Sequence, residues 1–173
     1  MALSLQSKYQ ANRPFPNIVI DEIFETSTYK KILKTFPKED DNIWKKPTNK
    51  HTVGKSVTKQ GDFFLKESLF DEPQRRVFME FSSSLFLRFV EVLTGIEGLV
   101  ADPYFAEGSY AMSSRGGFLD THADFSHHDK LGLERRVNLI FYLNDEWSES
   151  YGGDLRFFST DLKPVKSVFP LGN

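Results

Sequence analysis

The sequence predicts an α+β domain, with helices packed on one face of a β-sandwich. Apolar residues recur at helical spacing in two stretches of the first 98 residues. From about Leu99 the character changes to short apolar runs separated by glycine-, asparagine- and aspartate-containing turns. Helices first and strands second is the α+β order. At 173 residues the chain is long enough for a sizeable core. One domain spanning residues 1–173 is expected, helical over residues 1–98 and strand-rich over residues 99–173.

Taken in order, residues 1–20 form an irregular lead-in that closes on a short apolar strand, Asn17 to Ile20. Asp21 is placed to cap a helix carrying Ile23, Phe24, Tyr29, Ile32, Leu33 and Phe36, which Pro37 ends. Residues 37–61 are polar and hold Trp44 and His51; a loop or short strands are expected there. Pro73 opens the longest helix. Its stripe runs through Val77, Phe78, Phe81, Leu85, Phe89, Val92 and Leu93, with Arg75, Arg76, Glu80, Arg88 and Glu91 free to face water. Gly95 is its stop. Strands are expected at 99–105, 107–113, 118–122, 135–143, 153–159 and 164–169, with turns at Gly108, at Gly116-Gly117, between Asn144 and Gly153, and from Asp161 to Pro164. Gly152-Gly153 offers a turn or bulge with positive φ, and Trp147 reads as a packing residue of the preceding loop.

Composition narrows the function classes. Hydrophobic residues make up 39% and charged residues 27%, as in a globular protein, and 17 Phe point to an aromatic-rich core or cleft. A net charge of −2 provides no basic field for nucleic acid. The absence of cysteine excludes disulfides, thiolate zinc sites and cysteine nucleophiles, and fits a reducing cytosol. The first residues lack the charged and apolar pattern of a secretory signal, and no apolar run is long enough to span a membrane. A cytoplasmic location is therefore expected.

His122-Ala123-Asp124 carries the chemistry. Alternate residues of a strand share a face, so the imidazole and the carboxylate would project together, with Ala123 directed away. A neutral imidazole and a carboxylate suit Fe(II), Mn(II) or similar ions, and supply two thirds of a 2-His-1-carboxylate set. A surface histidine with an aspartate nearby is the plain alternative. The surrounding order decides between them: Gly117, Leu119, His122 and Asp124, then Arg135, Asn138, Leu139, Tyr142, Leu143 and Asn144, then Trp147, Gly152-Gly153 and Leu155.

Over about residues 108–170 this order resembles the prolyl-hydroxylase-like branch of the Fe(II)/2-oxoglutarate-dependent dioxygenases, including the oxygen-sensing prolyl hydroxylases and their bacterial and viral relatives. The resemblance implies a double-stranded β-helix (a jelly-roll or cupin-like core) with the N-terminal helices packed on one sheet. It implies Fe(II) and 2-oxoglutarate as cofactors, with ascorbate as an optional addition. His122 and Asp124 match the proximal iron ligands, and Tyr142 the phenol that contacts 2-oxoglutarate. Leu155 matches a lining residue of the cosubstrate pocket, and Arg135 a cavity-mouth position that touches substrate. Asn138 shares a strand face with Tyr142 and would reach the cosubstrate carboxylate or another strand. Tyr110, twelve residues before His122, is a weaker match to a tyrosine that precedes the first ligand at shorter spacing. For Tyr142, Leu155 and Arg135, ordinary packing or solvation is the competing account.

The family's distal histidine, and the Arg or Lys that pairs with the 5-carboxylate of 2-oxoglutarate, have no match in this sequence, which reads as cut short before them. The core is accordingly expected to be incomplete at its C-terminal side, with weak metal binding, low turnover and self-association through exposed sheet edges. His127 and His128 lie beyond Asp124 in a charged loop and are expected at the surface or facing substrate. The expected activity is hydroxylation of a C–H bond, best of a prolyl or other peptidyl residue. The alternatives are the same chemistry on a small molecule, or a non-catalytic cupin-like binding module.

Overall fold

The computed structural model describes residues 1–38, 41–44, 59–102, 105, 108–128 and 131–172, with the backbone alone for 59–67. It is a mixed helix-and-strand chain. Helix α1, Ala2–Ala11, occupies the expected irregular lead-in. Its sequence is rich in good helix formers, but no apolar stripe marks it, and none of its residues is buried. It is held on the later helices by Gln6, whose Nε2 donates to the Val92 carbonyl at 2.8 Å. Asn17 to Ile20 forms no ladder.

Helix α2, Thr26–Leu33, buries Tyr29 and Ile32 and begins after Glu25 rather than Asp21. Strand β1, Lys59–Lys66, leads through a single 3-10 turn to helix α3, Glu72–Phe81. Asp71 caps α3 reciprocally with Gln74, and Pro73 lies in the first turn, where its missing N–H costs nothing. The single long helix expected from the apolar stripe is two helices. Helix α4, Ser84–Thr94, restarts after a break at Ser82-Ser83. The break has a local cause: Ser82 Oγ donates back to the Phe78 carbonyl at 2.9 Å, and Ser83 Oγ accepts from the Phe86 N–H at 3.2 Å, so the two hydroxyls offer the backbone a stop and a new cap. Gly95 ends α4 in the left-handed conformation at φ 75°, as its position predicts.

Three antiparallel two-stranded ladders follow the helices in part. Strand β1 pairs with β2, Ser109–Leu119, with an irregularity opposite Gln60 to Asp62 that coincides with Gly116 at φ 79°. Strand β3, His127–His128, pairs with β4, Leu133–Glu134. Strand β5, Leu155–Phe158, pairs with β6, Pro164–Val168, after Gly152 and Gly153 at φ 69° and 82°. Residues 99–102, 105 and 135–143 lie in no ladder, contrary to the strands expected at 99–105 and 135–143. Among the described residues the ladders do not assemble into the two facing sheets of a jelly roll. Apolar alternation records one-sided burial, whereas a strand also needs a neighbour for its N–H and C=O groups, and periodicity does not reveal that neighbour.

Part of the phenylalanine content packs in an aromatic core. Trp44, Phe70 and Tyr110 are buried together, with Phe36, Phe78, Met112 and Leu143 against them. Tyr110 meets Phe36 and Phe70 edge-on at 5.6 and 5.4 Å between ring centroids. Trp44, expected in a loop, is a core residue whose indole N–H donates to the Lys38 carbonyl at 2.6 Å. No described helix is long and apolar enough to cross a membrane.

Candidate metal centre

His122 and Asp124 follow the end of β2, on a segment outside any ladder. Their side chains nonetheless converge, with His122 Nε2 3.4 Å from Asp124 Oδ1. The other ring nitrogen, Nδ1, lies 2.7 Å from the Asp120 carbonyl oxygen. A carbonyl only accepts, so Nδ1 carries a proton, and in the neutral ring the Nε2 lone pair is turned toward Asp124. This is how a ligating histidine is held, one nitrogen oriented by a backbone carbonyl and the other free for metal.

Asp124 is oriented from its other oxygen. Arg135 Nη2 lies 3.3 Å from Oδ2, and Asn138 Nδ2 donates to the same oxygen at 3.2 Å. With Oδ2 engaged by a cation and an amide, Oδ1 is the oxygen left facing the imidazole. The guanidinium of Arg135 also lies 4.5 Å over the centre of the Phe125 ring, and its backbone N–H donates to the Ser126 carbonyl at 2.9 Å. Two of the residues expected to address cosubstrate or substrate, Arg135 and Asn138, are thus brought onto the carboxylate itself. Asp120, Phe125 and Ser126 complete the arrangement. Two of them act through backbone carbonyls and the third through its ring face, roles that residue type does not announce.

Two donor atoms 3.4 Å apart fit neighbouring positions around one divalent ion, where bonds of about 2.1 Å at right angles separate donors by about 3 Å. The pair therefore suits a metal. It is open, however: the side chains of His122 and Asp124 are 29% and 45% exposed, where an enclosed barrel interior was expected. Among the described residues no group of three histidine, aspartate or glutamate side chains gathers to hold a metal ion.

The remaining expected residues lie as follows. Tyr142 is half-buried, and desolvation pushes its phenol pKa up, keeping the hydroxyl protonated as a donor. Leu155 opens β5 opposite Val168. The Tyr110 hydroxyl is 2.6 Å from Thr35 Oγ1 inside the aromatic core, a position explained by packing. His127 is exposed. His128 departs from the surface position expected for it: its side chain is 16% exposed and its Nε2 is buried. His51 lies outside the described residues. Trp147 packs on Phe169, ring centroids 5.2 Å apart, as a loop-packing residue should. A cavity of about 780 Å³ between α2, α3 and α4 is walled by Ile23, Phe24, Ile32, Val77, Phe81 and Phe86. None of the residues around Asp124 lines it.

Residues 108–173 match the model of the 2OG-Fe(II) oxygenase superfamily. The matched segment contains the whole His122, Asp124, Arg135 and Asn138 cluster, while the helical region before it lies outside the match. No curated protein and no solved structure matches the chain significantly. The match is consistent with the donor set: the superfamily's description names Fe(II) and 2-oxoglutarate, and an imidazole with a carboxylate is a mixed set that suits such an ion.

Proposed function

We propose that the chain is an Fe(II)- and 2-oxoglutarate-dependent oxygenase of the prolyl-hydroxylase-like branch, built on a double-stranded β-helix, that hydroxylates a C–H bond of a peptidyl residue, prolyl first among candidates. One observation carries the metal assignment. Nε2 of His122 and Oδ1 of Asp124 face each other at 3.4 Å while Nδ1 is hydrogen-bonded to the Asp120 carbonyl, and a neutral imidazole and a carboxylate so placed offer two adjacent donors to one metal ion. Bound Fe(II) would let O2 act as the oxidant: 2-oxoglutarate is oxidised to succinate and CO2, one oxygen atom of O2 entering succinate and the other the substrate C–H bond.

In this reading His122 and Asp124 contribute the imidazole and the negative charge. Arg135 and Asn138 keep Asp124 from rotating, so that one oxygen is presented. The protonated hydroxyl of Tyr142 donates to a cosubstrate carboxylate, and Leu155 supplies an apolar wall. The third protein ligand comes from outside the described residues. The exposure of the pair favours one competing reading, a binding module with an incomplete site.

Mn(II) is a suitable probe, because its paramagnetic signal reports binding without turnover. In the presence of 2-oxoglutarate, His122→Ala and Asp124→Ala should each remove bound Mn(II). Retention by both variants at the level of the unmodified chain would sink the assignment. Succinate formation dependent on a proline-containing peptide supports the hydroxylase. Metal binding without succinate from any peptide or small molecule identifies the binding module instead.

A further inference from the structure

We infer that His128 is a positioning residue for the Asp124 site: it braces, from inside, the pairing of β3 with β4 that delivers Arg135 to Asp124, and directs that pairing toward Asp102. The metal arm of the inference rests on the function proposed above.

The pairing consists of two ladder pairs, His127 with Glu134 and His128 with Leu133. So short a pairing does not hold its shape alone. Its shape matters because Arg135 follows immediately: the Arg135 N–H extends the pairing to the Ser126 carbonyl at 2.9 Å, and from there the guanidinium reaches Asp124 Oδ2 at 3.3 Å. A change in the turn therefore moves the cation that orients the carboxylate.

His128 meets that turn twice. Its carbonyl accepts the N–H groups of Leu131 at 3.1 Å and Gly132 at 2.9 Å, with Gly132 in the left-handed region at φ 61°. Its ring Nδ1 accepts from the same Leu131 N–H at 3.3 Å. An accepting Nδ1 leaves the ring proton on Nε2. That Nε2 is buried and has no hydrogen-bond partner among the described residues. A buried donor of this kind is costly to keep and calls for an explanation. It faces a carboxylate: Asp102 Oδ2, on the segment after α4, lies 3.8 Å away, beyond a hydrogen bond but within reach of electrostatic attraction. One face of the imidazole thus braces the turn, and the opposite edge points at a carboxylate from the segment that follows the helices. A histidine that merely decorated the surface would make neither contact.

Two substitutions separate the two contacts. Asparagine places a carboxamide oxygen near Nδ1 and cannot reach Asp102, so His128→Asn should retain slow amide exchange at Leu131. Asp102→Ala leaves the ring in place but removes the tether. His128→Ala loses both. The expected result is faster exchange at Leu131 and Gly132 in His128→Ala, recovery of that protection in His128→Asn, and a shifted NMR signal of the Arg135 side chain in His128→Ala and Asp102→Ala. Mn(II) affinity should fall about tenfold in those last two variants, the size usual for loss of a group that orients a ligand. Unchanged Arg135 signals and unchanged Mn(II) affinity in both would overturn the inference, even with faster exchange at the turn, since His128 would then be structural only. Should His128→Ala fail to fold, His128→Asn and Asp102→Ala carry the test. Should the unmodified chain bind no Mn(II), the function proposed above fails, while the exchange rates and the Arg135 signal still decide the role of His128.

Discussion

Phe141 stacks almost flat on Phe81, ring centroids 4.0 Å apart and planes inclined by 18°. Phe24 lies 5.8 Å from the same ring. The stack joins α3 to the segment that bears Asn138 and Tyr142, so the helices support the candidate site through aromatic contact. Phe141→Ala removes the partner ring and leaves a void. A loss of about 3 kcal/mol in urea-induced unfolding is expected, with Phe141→Leu costing less. Equal stability of the alanine variant would mean that the stack does not anchor this segment.

Asp71 carries both halves of a capping box: its side chain accepts from the Gln74 N–H at 2.9 Å, and the Gln74 side chain accepts from the Asp71 N–H at 3.0 Å. The Gln74 amide also donates to the Thr35 carbonyl at 2.8 Å, linking the start of α3 to the end of α2. Asp71→Ala should lower unfolding stability by about 1 kcal/mol. Gln74→Ala should cost more, because Thr35 then loses its partner in a buried position. Chemical denaturation of the two single variants checks the order.

Gly172 lies where a side chain cannot. A Cβ at this position would overlap the Tyr29 hydroxyl and the Asn144 carbonyl oxygen. Those two atoms are themselves hydrogen-bonded, at 3.1 Å. Gly172→Ala is expected to displace the Tyr29 hydroxyl and to destabilise by about 1–3 kcal/mol. In a double-mutant cycle with Tyr29→Phe the effects should be less than additive, because the displaced hydroxyl is already gone. Strict additivity in thermal unfolding would argue against the overlap.

Asp154 titrates at about 2, held below the usual carboxylate value of 3.8 chiefly by its hydrogen bonds from Arg156 and then from Ser167. The folded pKa is depressed, so the unfolded state binds the proton more readily. The contribution is present above pH 3.8 and is lost as the pH falls toward about 2. Asp154→Asn should flatten the acid limb of the stability profile in that window and leave the slope near neutrality unchanged. An acid limb identical to that of the unmodified chain would contradict the assignment. Because this carboxylate is close to solvent, salt should weaken the effect.

The helical half was legible where side-chain chemistry acts locally. Gly95 stops α4 because only a residue without Cβ enters the left-handed cap cheaply. The stripe through Val77, Phe81 and Phe89 marked a half-buried helical face, although Leu85 within it is 82% exposed, and it hid the break at Ser82-Ser83, since hydroxyl-to-backbone bonding leaves hydrophobic periodicity intact. Helix α1 is illegible for the opposite reason: its propensity is favourable but no stripe announces it. Tyr110 illustrates how spacing misleads. It stands at a suggestive distance before His122, and its hydroxyl is taken by Thr35 in the core.

Residue type and order singled out His122 and Asp124, with Arg135 and Asn138 downstream, inside the segment that matches the model of the 2OG-Fe(II) oxygenase superfamily. Lone pairs and charges are properties of single side chains, so a linear string reveals them. What each group faces came from the folded chain. Folding set the His122 imidazole against the Asp120 carbonyl, turned Arg135 and Asn138 onto Asp124, and drew His128 inward toward Asp102. Those pairings join residues from 2 to 26 positions apart through turns and packing, and a hydrogen bond depends on where both partners end up.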